Sequence, residues 1–143
     1  MKITTKGRYA LRMMLDLAER QGEGFVPLKE IGERQNLSKK YLEQIVPVLT
    51  AAGWLTAGRG VSGGYRLTMD PSAYTVGELL KLTEGGLAPV ACLESPENRC
   101  PRCADCRTLP VWMGLEKVIR DYLDGITLRD ILDGRANGAD RPV

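Results

Sequence analysis

Four cysteines, Cys92, Cys100, Cys103 and Cys106, stand in the spacing C-x7-C-x2-C-x2-C, and they are the only cysteines of the chain. The chain has no histidine. A metal centre in this segment must therefore be built on thiolates, with carboxylate or backbone help, and the mixed cysteine-histidine zinc sites are excluded. Four thiolates suffice for one [2Fe-2S] or [4Fe-4S] iron-sulfur cluster. The run Cys100-x2-Cys103-x2-Cys106 resembles the start of a ferredoxin ligand string, although Pro110 stands where that string has its next cysteine. A single zinc ion more often takes its ligands as separated pairs. Arg99, Arg102 and Arg107 flank the thiols, and positive charge there favours thiolate and an anionic centre. A bland reading makes these arginines a solvated loop surface. A bare thiol or disulfide switch and an all-thiolate zinc site remain alternatives to the cluster.

Composition limits what such a segment can serve. Hydrophobic content of 43% and charged content of 27% are those of an ordinary globular protein, so a folded scaffold is expected. No apolar stretch approaches the ~20 residues that span a bilayer. The first residues carry no apolar run behind their positive charges, so a cytoplasmic protein with reduced thiols and no membrane partner is expected. The net charge of +2 hides an asymmetry: residues 1–66 hold eleven Lys/Arg against six Asp/Glu, and residues 67–143 hold nine against twelve. A basic first half suits a polyanion partner. No nucleophile elbow or paired-carboxylate motif is present, so the chain does not read as an enzyme.

The elements that would position the cysteines can be followed along the chain. Tyr9, Ala10, Met13, Met14, Leu17 and Ala18 mark one face of a first helix from Thr5, closed by Gly22 and Gly24, with the methionines as core. Pro27 opens a second helix through about Gln35. After the link Asn36-Leu37, Ser38 is a good N-cap for a third. That helix turns Leu42, Ile45, Val46 and Leu49 inward and Lys39, Lys40, Glu43 and Gln44 outward. Two helices so joined, the second opening on polar and basic residues, have the look of a helix-turn-helix. Pro47 predicts a bend or an end after Val46.

Trp54-Leu55-Thr56 and Tyr65-Arg66-Leu67 predict two short strands around Ala57 to Gly64, where four glycines in eight residues fit a flexible hairpin tip with Arg59 as its only charge. A phosphate-binding loop is disfavoured because a strand follows the glycines rather than a helix. Three helices and a glycine-tipped hairpin make a winged helix-turn-helix, with the third helix for the major groove and Arg59 for the minor groove. Thr75 to Glu78 predicts a capping box for a fourth helix carrying Leu79, Leu80 and Leu82. The cysteine segment lacks periodicity and reads as a loop. Trp112, Leu115, Ile119, Tyr122 and Leu123 predict a long amphipathic helix to Gly125, and Thr127 caps a last short one through Leu132. That long helix has no evident partner within the chain, which suggests a homodimer suited to a two-fold symmetric site on double-stranded DNA.

With the elements in this order, the chain resembles the Rrf2 family of bacterial transcription regulators, in its iron-sulfur cluster type, from residue 1 to about 133. The resemblance rests on Lys6-Gly7-Arg8-Tyr9-Ala10, on Ser38 to Gln44 with its Tyr-Leu-Glu-Gln core, on Arg59-Gly60 through Gly63-Gly64-Tyr65, and on Thr75-Val76-Gly77-Glu78. It implies a mainly α fold: a winged helix-turn-helix with a two-stranded wing and a long C-terminal dimerisation helix. The expected division is a DNA-binding domain over 1–85, a cysteine loop over 86–109, a dimerisation helix with a short terminal helix over 110–133, and a flexible tail over 134–143. Ser38, Tyr41, Glu43, Gln44, Arg59 and Gly60 are implied to meet DNA. Gln can bond adenine, Glu can accept from cytosine, and Lys39 and Lys40 suit phosphates. Glu43 is repelled by phosphates unless it finds a cytosine amine, so it can exclude wrong sequences.

Registered on Trp112, the three cluster cysteines of the family match Cys92, Cys100 and Cys106. Its fourth ligand does not carry over. One branch has a histidine where this chain has Leu109, and the nitric-oxide-sensing branch has an aspartate where this chain has Arg8. Cys103 is the candidate that completes the set, with a spare redox thiol as its other reading. A function of another class, an iron-sulfur carrier or electron-transfer protein, has no need of the basic third helix and Arg59.

Overall fold

The computed structural model describes residues 1–61 and 63–136. Its elements run α1 (Thr5–Glu19), α2 (Leu28–Gln35), α3 (Lys39–Ala51), β1 (Leu55–Gly58), β2 (Gly64–Leu67), α4 (Val76–Glu84), α5 (Leu109–Asp124) and α6 (Leu128–Leu132). Short 3-10 turns lie at Pro71–Ala73 and Ala91–Leu93. The central element is α1, because Ala10, Met13, Met14 and Leu17 recur at helical spacing and are all buried. Helices α2, α3, α4 and α6 and strand β2 pack around it. Each such Met or Leu contributes roughly 1.5–3 kcal/mol of burial, which makes this face the main source of stability.

The turn between α2 and α3 is fixed by backbone. Asn36 adopts the left-handed conformation at φ 53°, and Leu37 N–H donates to the Gly32 carbonyl at 2.9 Å. A Cβ on Gly32 would stand 2.7 Å from the Leu37 carbonyl oxygen, so the close approach requires glycine. Ser38 then caps α3, its Oγ accepting from Tyr41 N–H at 3.0 Å. Helix α3 does not stop at Pro47 but runs on to Ala51. The proline ring removes the bond to the Glu43 carbonyl, yet Leu49 beyond it is fully buried and holds the last turn in place.

The wing is longer and more tightly held than the sequence suggests. Its register pairs Leu55 with Leu67, Thr56 with Arg66, Ala57 with Tyr65 and Gly58 with Gly64. Two of the four glycines therefore lie in the sheet instead of the tip, and Trp54 lies just before it. The reason is the segment ahead of α2. The Phe25 ring fills the space a side chain at Gly58 would need, and Val26 exchanges backbone bonds with Tyr65 at 2.8 and 2.9 Å. Arg66 lies over the Phe25 ring at 4.5 Å. At the base of the wing the buried Tyr74 hydroxyl accepts from Thr68 N–H at 3.1 Å and Met69 N–H at 2.9 Å and donates to the Trp54 carbonyl at 3.2 Å.

At α4, Thr75 Oγ1 accepts from Glu78 N–H at 3.1 Å, but the Glu78 carboxylate accepts from the Thr75 hydroxyl, so the expected capping box is only half made. A reciprocal box forms instead at Thr127 and Asp130, on α6. Leu79 and Leu80 are buried, whereas Leu82 is exposed. Leu128 of α6 joins the α1 core, while Ile131 of the same helix packs on the cluster of Val76, Leu80 and Ile126, as Leu123 of α5 does. Arg135 turns back on Asp130 and Asp133. Residues 137–143, most of the expected tail, lie outside the described residues. Among the described residues no helix is long and apolar enough to cross a membrane.

Candidate nucleic-acid interface and cysteine loop

The capped start of α3 projects one polar face. Ser38, Lys39, Lys40, Glu43 and Gln44 are all exposed, spaced so that residues 39, 40, 43 and 44 share one side, opposite the buried Leu42, Ile45, Val46 and Leu49. Lys39 Nζ lies 3.9 Å from Glu43 Oε1, which partly neutralises the one carboxylate on this face. Tyr41 differs from its neighbours. Its ring is half-buried and packs edge-on against Tyr9 of α1 at 5.1 Å between centroids, so it braces α3 and offers only part of its surface. Arg59 and Gly60 are exposed at the tip of the wing. Gly60 takes φ 89°, and Gly63 N–H donates to its carbonyl at 3.0 Å, closing the turn. Arg59 and Lys40 make no ion pair among the described residues. Val61 beside them is fully exposed. The arrangement offers hydrogen-bonding groups on a helix narrow enough for a major groove and a cation on a second, thinner projection.

The cysteine loop leaves α4 at Gly85, whose φ of 77° ends that helix, and re-enters helix at Leu109. Cys92 lies in the turn Ala91–Leu93, Cys103 N–H donates to the Cys100 carbonyl at 3.1 Å, and Leu109 N–H to the Cys106 carbonyl at 3.4 Å. All four cysteines are free thiols of intermediate exposure. The Thr108 hydroxyl, 3.4 Å from Cys106 Sγ, and the Thr108 and Leu109 backbone N–H groups, aided by the Arg102 charge, hold the Cys106 thiol below its ordinary pKa. In number and kind these donors fit an iron-sulfur cluster. Among the described residues, however, no three Cys, Asp or Glu side chains converge on a common point, so the loop does not present a ready-made cage.

Helix α5 carries the loop's far end. Its packing within the chain is substantial only on α4, where Lys81 Nζ meets the Asp124 carboxylate at 3.1 Å over Gly77. Ile119 and Leu123, expected on the outer stripe, are instead half-buried, and Leu123 packs with Val76, Leu80 and Ile126. The uncovered stripe is Val111, Leu115, Val118 and Tyr122, with Trp112 and Met113 beside it, between 37% and 66% exposed. A cleft of about 560 Å³ lies between α4, α5 and the start of the loop, lined by Lys81, Glu84, Glu94, Glu116 and Arg120, of which Arg120 pairs with Glu116 and Lys81 with Asp124 outside it.

With fold and sites in view, comparison with known proteins decides the family. The Rrf2 model, described as iron-dependent transcriptional regulator, matches residues 3–134. This chain belongs to the Rrf2 family. It is 40% identical over 131 residues to the HTH-type transcriptional regulator CymR of Bacillus subtilis, covering 92% of this chain and 89% of that protein. The solved structure of the B. subtilis global cysteine regulator CymR superposes with a TM-score of 0.76 at 38% identity, over 94% of this chain and 98% of that one. The structure of T. potens IscR gives a TM-score of 0.75 at 38% identity over 100% and 93%. The fold is thus the mainly helical winged helix with a two-stranded wing. The protein is an Rrf2-type transcriptional regulator and not an enzyme.

Proposed function

We propose that this protein is a homodimeric, sequence-specific DNA-binding transcription regulator, controlled at its cysteine loop by an iron-sulfur cluster, [2Fe-2S] or [4Fe-4S], on Cys92, Cys100, Cys106 and Cys103. The observation that carries the DNA-binding part is the exposed face of α3, capped by Ser38 and backed by a buried core face. Gln44, Glu43 and Ser38 offer base-reading groups, Lys39 and Lys40 meet phosphates, and Arg59 and Gly60 enter the minor groove. Tyr41 contributes mainly by holding α3 against Tyr9.

The uncovered stripe of α5 supports the dimer. Val111, Leu115, Val118 and Tyr122 are spaced four, three and four, the pattern of a seam between two long helices. Pairing through α5 sets the distance between two recognition helices, as a two-fold symmetric operator requires. The loop joins the end of α4 to the start of α5. A change in how its thiols are held therefore shifts α5 on α4 across the Lys81–Asp124 contact, and with it the spacing of the two α3 helices. Control of this kind needs one loop arrangement to favour the DNA-bound geometry.

A second reading, a thiol or disulfide switch without metal, is favoured by one observation: four free thiols of which Cys106 is held toward thiolate. Iron, acid-labile sulfide and zinc content of anaerobically purified protein, with its visible spectrum, separate the readings. The cluster reading expects iron and sulfide with visible absorption lost in Cys92→Ala. Colourless protein with stoichiometric zinc overturns it, as does metal-free protein with four titratable thiols.

A further inference from the structure

Among the described residues Asp16 is the one buried charged side chain, 1% exposed. It lies on α1 and, so buried, offers no surface of its own to DNA. Its partners are Arg34 and Gln35, in the last turn of the helix that precedes the recognition helix, and Arg20, which caps the end of α1. Arg34 Nη2 donates to Oδ1 at 2.8 Å and Arg34 Nε to Oδ2 at 3.1 Å, a two-pronged grip, and Gln35 Nε2 donates to Oδ2 at 3.0 Å. Arg20 Nη1 stands 3.5 Å from Oδ1. One turn earlier on α1, Arg12 donates to the Gln35 carbonyl. Residues Asn36 to Ser38 follow at once, and Ser38 caps α3.

From this geometry we infer that Asp16 is a positioning residue for DNA recognition: clamping Arg34 and Gln35, it fixes the angle at which α3 is presented. The inference rests on the reading of α3 as the recognition helix. Apolar packing alone does not explain the clamp. Met13 and Leu17 of α1 and Leu28 and Ile31 of α2 are already buried in one apolar cluster, and sliding apolar surfaces define an angle less sharply than a two-pronged ion pair. Replacing a buried ion pair by apolar residues often leaves stability unchanged or improved, so what the charges add is a defined geometry. Base reading depends on that geometry, because bidentate contacts tolerate little displacement, whereas phosphate contacts by flexible lysines tolerate more.

The test compares a duplex enriched from a random double-stranded pool with a shuffled duplex of equal length, at one salt concentration. Wild type, Asp16→Asn, Gln44→Ala and the apolar pair Asp16→Leu with Arg34→Met are measured by fluorescence anisotropy. The clamp predicts that the ratio of the two affinities falls at least tenfold in Asp16→Asn and in the apolar pair. Affinity for the shuffled duplex stays within twofold, and helix content and cooperative melting persist. Should Asp16→Asn fail to fold, the apolar pair decides, because it restores packing without the clamp. A folded variant that keeps the wild-type ratio within twofold while Gln44→Ala loses it overturns the clamp alone. A wild type that enriches no sequence overturns both the clamp and the recognition-helix reading.

Discussion

Tyr74 shows how one side chain can hold two elements. Its buried hydroxyl satisfies two backbone donors and one carbonyl at the foot of the wing, so Tyr74→Phe strands the N–H of Met69 and leaves Thr68 N–H only its bond to the Trp54 carbonyl. We expect a loss of about 1–3 kcal/mol in urea unfolding, and a change below about 0.5 kcal/mol would contradict that role. Asp16 makes a pH prediction. Burial pushes its carboxyl up, but hydrogen bonds from Arg34 and Gln35 and the charges of Arg20 and Arg34 outweigh this and leave it below its ordinary value. A carboxylate lowered on folding stabilises the fold above its unfolded pKa, and the contribution is lost as pH falls from about 4 through the folded value. Melting temperature should therefore drop more steeply below about pH 4 in wild type than in Asp16→Asn, and parallel curves would refute the linkage. Neither residue announces itself in the sequence. Asp16 and Arg34 are 18 positions apart and Tyr74 and Trp54 are 20 apart, distances over which periodicity says nothing of contact.

Helices with a single apolar face, such as α1 and α3, were legible because burial follows a 3.6-residue period, and Ser38 read correctly as a cap because its chemistry is local. Ser38→Ala should cost about 1 kcal/mol in thermal or urea unfolding, and no loss would mean that α3 starts without it. Helix α5 was legible as a helix but not as to its free side. It has apolar residues on two sides, and only the packed structure shows that Ile119 and Leu123 face α4 while Val111, Leu115, Val118 and Tyr122 do not. From sequence the wing looks shorter than it is, because its glycines resemble a tip, whereas Phe25 and Val26, remote in sequence, cover two of them. If α5 pairs two chains through the free stripe, Leu115→Lys with Val118→Glu should give monomers in sedimentation equilibrium while a cooperative melt remains. A persisting dimer would place the interface elsewhere.

The molecule as a whole joins a compact winged helix to a projecting helix by a loop rich in thiols. Residue types alone made the loop's donor set plain, but whether the thiols meet depends on backbone path, which type and spacing do not encode. In the proposed reading, coupling between loop and DNA runs along α4 and α5, through the short contact of Lys81 with Asp124, and asks for no rearrangement of the α1 core. The most direct test is the dissociation constant for an enriched duplex, at fixed salt, of anaerobically isolated protein, of the same protein stripped of metal, and of Cys92→Ala. Control at the cysteine loop predicts that the isolated protein differs from the other two by tenfold or more. Three values equal within twofold would contradict it and leave the loop a structural part alone.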